Sequence, residues 1–309
     1  MGLCDSMQKL QFACILDKSF VIFAQNFQYM LILRTISETQ DHLDGIRHNN
    51  KTIGLVPTMG ALHEGHLSLI RTCSAENDMT IVSIFVNPTQ FNDPEDFNKY
   101  PRDFDNDIAI LKNHPCDLVF APSIEEMYPF PDTREFRFGT LDSIMEGKYR
   151  PGHFNGVAQI VSKLFEIIKP GRAYFGQKDF QQLVVIRDLV RQLDLNIQIV
   201  SCPIIREHDG LAMSSRNQLL TEKQRIAAGK INKSLEKAVL LAGKTDVGTL
   251  RKNIISEIDS DPLLKAEYFE IVDEETLKPV SEWSDKTVKI GCIAVQVGNV
   301  RLIDNIKIS

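Results

Sequence analysis

The sequence predicts an α/β fold: a parallel sheet covered by helices on both faces, joined to a smaller α+β C-terminal domain. Three observations predict it. Short, nearly continuous apolar runs alternate with helix-period stretches through the first two thirds of the chain, as in βαβ units. One stretch, residues 156–168, carries the helical period without a break. Beyond residue 205 the order changes to helices followed by strands, the mark of a separate α+β unit. A length of 309 residues suits two domains of about 150 residues each. The expected organisation is an extension over 1–29, a ligand-binding domain over 30–205 and a second domain over 206–309.

Residues 52–57 form the first buried strand, and 64–75 the helix after it, with Leu67, Leu69 and Ile70 on its apolar side. Residues 80–86 are a second strand, 103–113 a helix and 117–120 a third strand. In the helix 156–168, Val157, Ile160, Val161, Leu164, Phe165 and Ile168 recur at i, i+3, i+4, i+7, i+8 and i+11, and Pro170-Gly171 stops it. Residues 173–175 are the next strand, 179–191 the next helix and 197–205 another strand. In the second domain, 221–241 reads as one long amphipathic helix opened by Thr221, and 246–258 as another. Strands over 268–272, 288–297 and 300–303 complete it.

The composition is 43% hydrophobic, 25% charged and 8% aromatic, which excludes wholesale disorder, collagen-like repeats and a disulfide scaffold. With 35 basic and 41 acidic residues the formal net charge is −6. A chain that neutralises many phosphates is basic, so no nucleic-acid partner is expected; a small anion needs only a few local donors. Cys4, Cys14, Cys73, Cys116, Cys202 and Cys292 form no Cys-x-x-Cys pair and read as free thiols of a reducing cytoplasm. The stretch 10–33 is apolar but interrupted by Asp17, Lys18, Gln25, Asn26 and Gln28. It offers no 18-residue membrane span and lacks the order of a secretory signal.

Five stretches carry chemistry. The first, Pro57-Thr58-Met59-Gly60-Ala61-Leu62-His63-Glu64-Gly65-His66, follows the first strand and opens the first helix. There an α/β sheet presents helix N-terminal amides to an anion. Gly60 and Gly65 let backbone approach a ligand. His63 and His66, three apart, put their Cβ atoms about 5–6 Å apart on one helical face. Two imidazoles so placed can donate hydrogen bonds to phosphate oxygens and offset charge on a departing pyrophosphate. Half a metal site is a competing reading, although helical zinc ligands are spaced four apart with Glu between them. Surface histidines without function are another. A dinucleotide-binding fold is a third, and its Gly-x-Gly-x-x-Gly fingerprint is absent.

The second stretch, Phe85-Val86-Asn87-Pro88-Thr89-Gln90-Phe91, ends the second strand and faces the same crevice in a parallel sheet. Asn87 and Gln90 bring amides suited to a small polar acid; a plain Asn-Pro turn is the alternative. The third runs from Lys148 through Arg150 to Gly156, a basic helix entrance that suits an anion or a structural turn equally. The fourth, Gly176-Gln177-Lys178-Asp179-Phe180-Gln181-Gln182, is another strand-to-helix junction. Lys178 is a compact cation for phosphate oxygens, Asp179 is placed to cap the helix and Gln182 lies one turn in. The fifth, Met213-Ser214-Ser215-Arg216-Asn217, clusters hydroxyls, amides and a guanidinium on a loop able to close over a nucleotide. Alone it would read as a surface loop.

Together with Tyr100-Pro101-Arg102, these motifs occur in one order that resembles the pantothenate synthetase (pantoate–β-alanine ligase) family from about Met30 to the C-terminus. The resemblance implies a Rossmann-like sheet of the nucleotidyl-transferase type, in which His63–His66 and Met213–Arg216 match the group's two signatures. It implies ATP-dependent ligation of (R)-pantoate to β-alanine, giving pantothenate, AMP and pyrophosphate, on the route to coenzyme A. Pantoate first forms an adenylate, which the amine of β-alanine then attacks, with Mg²⁺ required. By resemblance, Met59, Gly60, Ala61, Leu62, His63, Glu64, Gly65 and His66 bind ATP, with His66 in the proton-donor position and His63 its companion. Gly176, Gln177, Lys178 and Asp179 hold adenosine and the α-phosphate, with Lys178 stabilising pentacoordinate phosphorus. Ile205 meets adenine through its backbone, and Met213, Ser214, Ser215 and Arg216 close over the phosphates. Gln90 and Gln182 grip pantoate, and Asn87 and Arg150 are further substrate-binding residues. The metal ligands stay open, with the acidic run Asp103, Asp105 and Asp107 as candidate helpers. Pantoate, β-alanine and ATP are the expected partners of a cytoplasmic homodimer that meets neither membrane nor nucleic acid.

Two rivals remain at this level: a transferase of the same fold acting on another acid, and a nonenzymatic nucleotide-binding regulator. Residues 1–29 have no counterpart in the family, and translation is expected to begin at Met30. Mass spectrometry of the endogenous protein is expected to find that end; an intact Met1 terminus refutes it.

Overall fold

The computed structural model describes residues 30–284 and 286–308, so the expected extension and the Met30 start lie outside the described residues. Six strands form a parallel sheet: β1 (Leu31–Leu33), β2 (Ile53–Thr58), β3 (Met79–Ile84), β4 (Leu118–Phe120), β5 (Arg172–Gly176) and β6 (Gln198–Cys202). Their order is β1-β4-β3-β2-β5-β6. Side chains alternate across it, which gives two cores. Leu55, Ile81 and Ala173 pack on one face against the helices Ile36–His48, His153–Ile168 and Phe180–Gln192. Val56, Val82 and Tyr174 pack on the other against Glu64–Glu76 and Phe104–Leu111. Burial on both faces is why these strands read as unbroken apolar runs.

The helix His153–Ile168 begins one turn earlier than its apolar period suggests, at a left-handed Gly152 with φ 81°. A Cβ on Gly156 would lie 2.2 Å from the Thr89 carbonyl oxygen. Only glycine there lets this helix rest on the turn Pro88–Gln90, and that contact brings Gln90 to the crevice.

Three antiparallel strands, β7 (Leu264–Asp273), β8 (Lys289–Val297) and β9 (Val300–Lys307), form the second sheet. One face packs on its own helices, Lys230–Leu241 and Val247–Asp259. The opposite face, through Tyr268, Ile290, Cys292 and Ala294, packs on Met145, Phe180 and Val184. The first sheet's last long helix therefore also serves the second sheet.

Several expectations are corrected. The single helix over 221–241 is two, Glu222–Ala228 and Lys230–Leu241. At Gly229 between them, a Cβ would sit 2.9 Å from Oδ2 of Asp209, a carboxylate held by Arg225. The strand expected over 197–205 stops at Cys202, because Pro203 has no N–H for the ladder. β9 runs on to Lys307 rather than ending at 303, since buried Asp304 and Asn305 find polar partners outside the sheet. β7 starts before 268, with an irregularity between Ala266 and Tyr268. β1 and the helix Ile36–His48, capped by Thr35, were not among the expected elements. Cys73, Cys116, Cys202 and Cys292 are free and buried, and no described helix is long and apolar enough to cross a membrane.

Candidate active site

β2 and β5 are neighbours, yet the helices that follow them pack on opposite faces of the sheet. Their carboxyl ends leave the crevice at which α/β sheets bind ligands. A cavity of about 200 Å³ opens there, lined by Met59, His63, Gly65 and His66 from the end of β2 and by Gly176, Lys178, Asp179 and Gln182 from the end of β5. Gln90, Ile205 and the run from Met213 to Arg216 complete the polar lining. Val157, Ile160 and Leu164, on one side of the helix His153–Ile168, form an apolar wall with Phe85.

The two histidines form a reciprocal cap. His63 stands at the N-cap of Glu64–Glu76, its Nδ1 accepting from the Gly65 N–H at 3.1 Å, while Nδ1 of His66 accepts from the His63 N–H at 3.3 Å. The rings lie 4.1 Å apart, tilted by 37°. An Nδ1 that accepts a backbone N–H carries no proton, so both rings are fixed as Nε2–H tautomers. Burial, then the charge of Lys178, lowers His63 to about 4. Burial, then His63 and Lys178, holds His66 well below the ordinary histidine value. The pair offers neutral N–H donors, not imidazolium acids.

The loop before them is bracketed from behind. Asp107 accepts from the Ala61 N–H at 2.9 Å and the Leu62 N–H at 2.7 Å. Gly60 has φ 77°, and a Cβ on it would lie 2.7 Å from Asp107 Oδ2. Gly60, Ala61 and Leu62 thus shape the loop without lining the cavity, and exposed Glu64 pairs with Arg71. The acidic run Asp103, Asp105 and Asp107 lines neither this cavity nor the space beside it. Helix positions two apart do not share a face. Asp103 caps Phe104–Leu111, Asp105 is exposed and both Asp107 oxygens are committed to backbone. Among the described residues no group of three or more His, Cys, Asp or Glu side chains could hold a metal ion.

Asn87 is buried and does not line the cavity. Its Nδ2 donates to the Gly156 carbonyl at 3.0 Å and to Gln90 Oε1 at 3.3 Å, and its Oδ1 accepts from Tyr128. It orients Gln90, leaving Nε2 of Gln90 beside Met59 Sδ at 3.0 Å. His153 Nδ1 lies 2.8 Å from the Gln90 carbonyl and so donates to it; His153 Nε2 then turns a lone pair to the Arg150 guanidinium at 3.4 Å. Burial, then Arg150, lowers His153 to about 4. Arg150 does not line this cavity but stands in an adjoining space of about 640 Å³, which shares the wall of Lys178, Asp179, Gln182, Ser214 and Arg216 with it.

Asp179 occupies the N-cap position of Phe180–Gln192 but makes no capping hydrogen bond; its carboxylate lies 3.8 Å from Lys178 Nζ. Gln177 does not line the cavity, and Asn305 donates to its carbonyl. Gln181, unlike its neighbour Gln182, is buried on the Leu141 and Ile144 carbonyls. The loop 213–216 is latched to the first domain. Ser215 Oγ lies 3.1 Å from the Tyr100 hydroxyl, and Arg216 holds both oxygens of Asp96 at 3.0 and 3.2 Å, above the Tyr100 ring. Tyr100, Asp96, His153, Asn305 and the apolar wall escaped the residue-level reading. Tyr100 stood in a matching motif without a role, and Asp96 carried no signal at all.

Convergent phosphate donors at the switch point of a parallel sheet define an α/β enzyme that acts on a nucleotide's phosphates. The chain belongs to the pantoate–β-alanine ligase family, whose model matches residues 31–307. It is 54% identical over 278 residues to a pantothenate synthetase of Bacteroides thetaiotaomicron, with 90% of this chain and 99% of that one covered. A pantothenate synthetase of Thermotoga neapolitana is 50% identical over 279 residues, covering 89% and 99%. The crystal structure of pantothenate synthetase from Thermus thermophilus superposes with a TM-score of 0.84 at 40% identity, over 90% of this chain and 99% of that one. A pantoate–β-alanine ligase from Francisella tularensis, complexed with β-γ ATP and β-alanine, gives a TM-score of 0.76 at 36% identity, over 90% and 97%.

Unfolded histidines titrate near 6.5, so between pH 6.5 and about 4 the unfolded chain binds protons that His63 and His153 refuse. Their contribution to stability is present above pH 6.5 and lost as the pH falls toward 4. Imidazole nitrogen NMR at pH 6 is expected to find neutral rings, Nε2–H for His63 and His66 and Nδ1–H for His153. An imidazolium at His63 at that pH overturns the assignment.

Proposed function

We propose that this chain ligates (R)-pantoate and β-alanine in two steps at the switch-point cavity. In the first, a pantoate carboxylate oxygen attacks the α-phosphorus of ATP, and the bond to pyrophosphate breaks. In the second, the β-alanine nitrogen attacks the acyl carbon, loses a proton and expels AMP as the amide forms. The observation that supports this reading is the convergence of His63, His66, Lys178, Ser215, Gln90 and Gln182 on one cavity.

The neutral Nε2–H groups of His63 and His66 suit hydrogen bonds to phosphate oxygens. They act on charge that grows on the leaving pyrophosphate without giving up a proton. Lys178 neutralises the α-phosphate as carboxylate and leaving group share the phosphorus. Gly176 and Ile205 offer backbone to adenosine, and Ser214, Ser215 and Arg216 suit the outer phosphates. Mg²⁺ enters on the nucleotide, as MgATP. Gln90 and Gln182 suit the polar groups of pantoate, whose paired methyls match the wall of Val157, Ile160 and Leu164. Arg150 suits the β-alanine carboxylate: it is backed by the His153 lone pair, and its ion-pair partner Asp96 is 3.9 Å away.

The partner at the surface is a second copy. Exposure alternates residue by residue from 131 to 138. The inner side is tied down: Gln159 donates to the Asp132 and Arg134 carbonyls, and Asn155 accepts from the Phe136 N–H. The outer edge carries Glu135 and Arg137 beside Phe130, which is 81% exposed. Two such edges, antiparallel and centred on residue 136, would set each Glu135 opposite an Arg137. Buried free thiols suit a cytoplasmic setting.

ATP–pyrophosphate exchange without β-alanine tests the chemistry. Exchange is expected with pantoate alone among acids; exchange with other acids favours a different transferase, and none at all favours a regulator. Lys178→Ala and His66→Ala are expected to lower kcat by about 10²–10³-fold while circular dichroism stays native, and near-normal turnover removes the assigned role. Sedimentation equilibrium is expected to find a dimer that Glu135→Pro dissociates, and a monomeric parent chain refutes the edge pairing.

A further inference from the structure

Asp304 and Asn305, 3% and 6% exposed, are adjacent buried polar residues of β9, where the second sheet meets the turn at the end of β5. Burying polar groups costs free energy unless every one is hydrogen-bonded. Both amide hydrogens of Asn305 go to consecutive carbonyls across that interface, Gln177 at 2.8 Å and Lys178 at 2.9 Å. Those carbonyls belong to the turn Gln177–Asp179, which has no side-chain cap, and neither has the helix Phe180–Gln192 that it opens. The turn that carries Lys178 therefore takes its fixed geometry from the other domain.

Asp304 fixes the donor. It accepts from the Asn305 N–H at 2.7 Å and from Arg206 through both oxygens, at 2.7 and 3.0 Å. Arg206 also donates to the Asn305 and Gly210 carbonyls. Its neighbour Ile205 accepts from the Met213 N–H at 3.0 Å, at the entrance to the phosphate loop. One dipeptide of β9 thus grips the turn at the end of β5 through Asn305 and the segment after β6 through Asp304.

We propose that Asn305 is a positioning residue that acts through Lys178: its amide pins the Gln177 and Lys178 carbonyls, so that strand β9 of the second domain aims the ammonium at the reacting phosphorus. The inference rests on the assignment of Lys178 to the adenylation step. Misplacing a reacting group by about 1 Å costs on the order of 10²-fold in rate. Binding of pantoate, assigned above to the side chains of Gln90 and Gln182, is expected to change little.

The test is pantoate-dependent ATP–pyrophosphate exchange by Asn305→Asp, which keeps the shape and removes both donors, and by Asn305→Ser as a second variant should the first fail to fold. The expected result is a fall in kcat on the order of 10²-fold with KM for pantoate within about twofold of the parent. A double-mutant cycle with Lys178→Ala separates positioning from general stability. In the Lys178→Ala background Asn305→Ser is expected to cost less than about threefold, since the group it aims is gone. Full kcat in the Asn305 variants overturns the proposal, and so do losses that multiply in the double variant. If Lys178→Ala itself retains activity, the assignment of Lys178 fails instead.

Discussion

Everything at the crevice depends on the adjacency of β2 and β5. They share a ladder, but the chain leaves them toward opposite faces, so the space above their carboxyl ends is covered by neither following helix. A gap in a sheet is only an opening until the loops around it hold a shape. Here each loop is held by a buried side chain reaching in from elsewhere. Asp107 consumes two amides of the β2 loop, Asn87 consumes one end of Gln90, and Asn305 consumes two carbonyls of the β5 turn. None of these three needs to touch a ligand to decide where the ligand-facing groups point.

The electrostatics follow from the same geometry. Lys178 and Arg216 line the inner cavity, with Arg150 just beyond the shared wall. Two imidazoles set among such cations, with their Nδ1 atoms already accepting backbone N–H groups, stay neutral. Neutral imidazoles are compatible with the cations around them, and still present N–H donors to an anion. The cations in turn have carboxylate partners: Asp179 stands 3.8 Å from Lys178, and Asp96 accepts from Arg216 through both oxygens. Under the proposed reading, a polyanion entering this field would exchange carboxylate contacts for phosphate contacts, and the buried ring nitrogens would need no change of protonation.

The legible parts of the sequence were those whose cause is local. The β2–helix and β5–helix junctions show in the sequence because glycine, a capping residue and an apolar run within ten residues suffice to mark them. His63, His66, Lys178 and Gln182 reach one cavity through those junctions. What stayed hidden depends on distant pairs. Asp107 meets Leu62 from 45 residues away, Asn87 meets Gly156 across 69 and Asn305 meets Lys178 across 127. A buried Asn or Asp looks like a strand ending or a helix cap when its partner is unknown, and so β9 was cut short at its most informative residues. At the break in the expected helix over 221–241, the neighbour that leaves no room for a Cβ on Gly229 is Asp209, likewise distant in sequence.

The two chambers share a wall, and that wall orders the chemistry. Lys178, Gln182 and Arg216 face both the cavity with the apolar side and the wider space where Arg150 stands. Under the proposed reaction, an acyl adenylate built against Val157, Ile160 and Leu164 would keep its anhydride away from bulk water, which competes with the amine. The wider space lies at the interface with β9, lined by Arg150 together with Arg301, Asp304 and Asn305. That interface is not loose: Arg301 of β9 binds both oxygens of Glu146 at 2.7 Å, four residues before Arg150, and Asn305 binds the turn of Lys178. One strand therefore touches the entrance through residue 301 and the reacting end through residue 305. Under the roles proposed for Arg150 and Lys178, a shift of this eight-residue strand would disturb both, which would couple amine binding to activation.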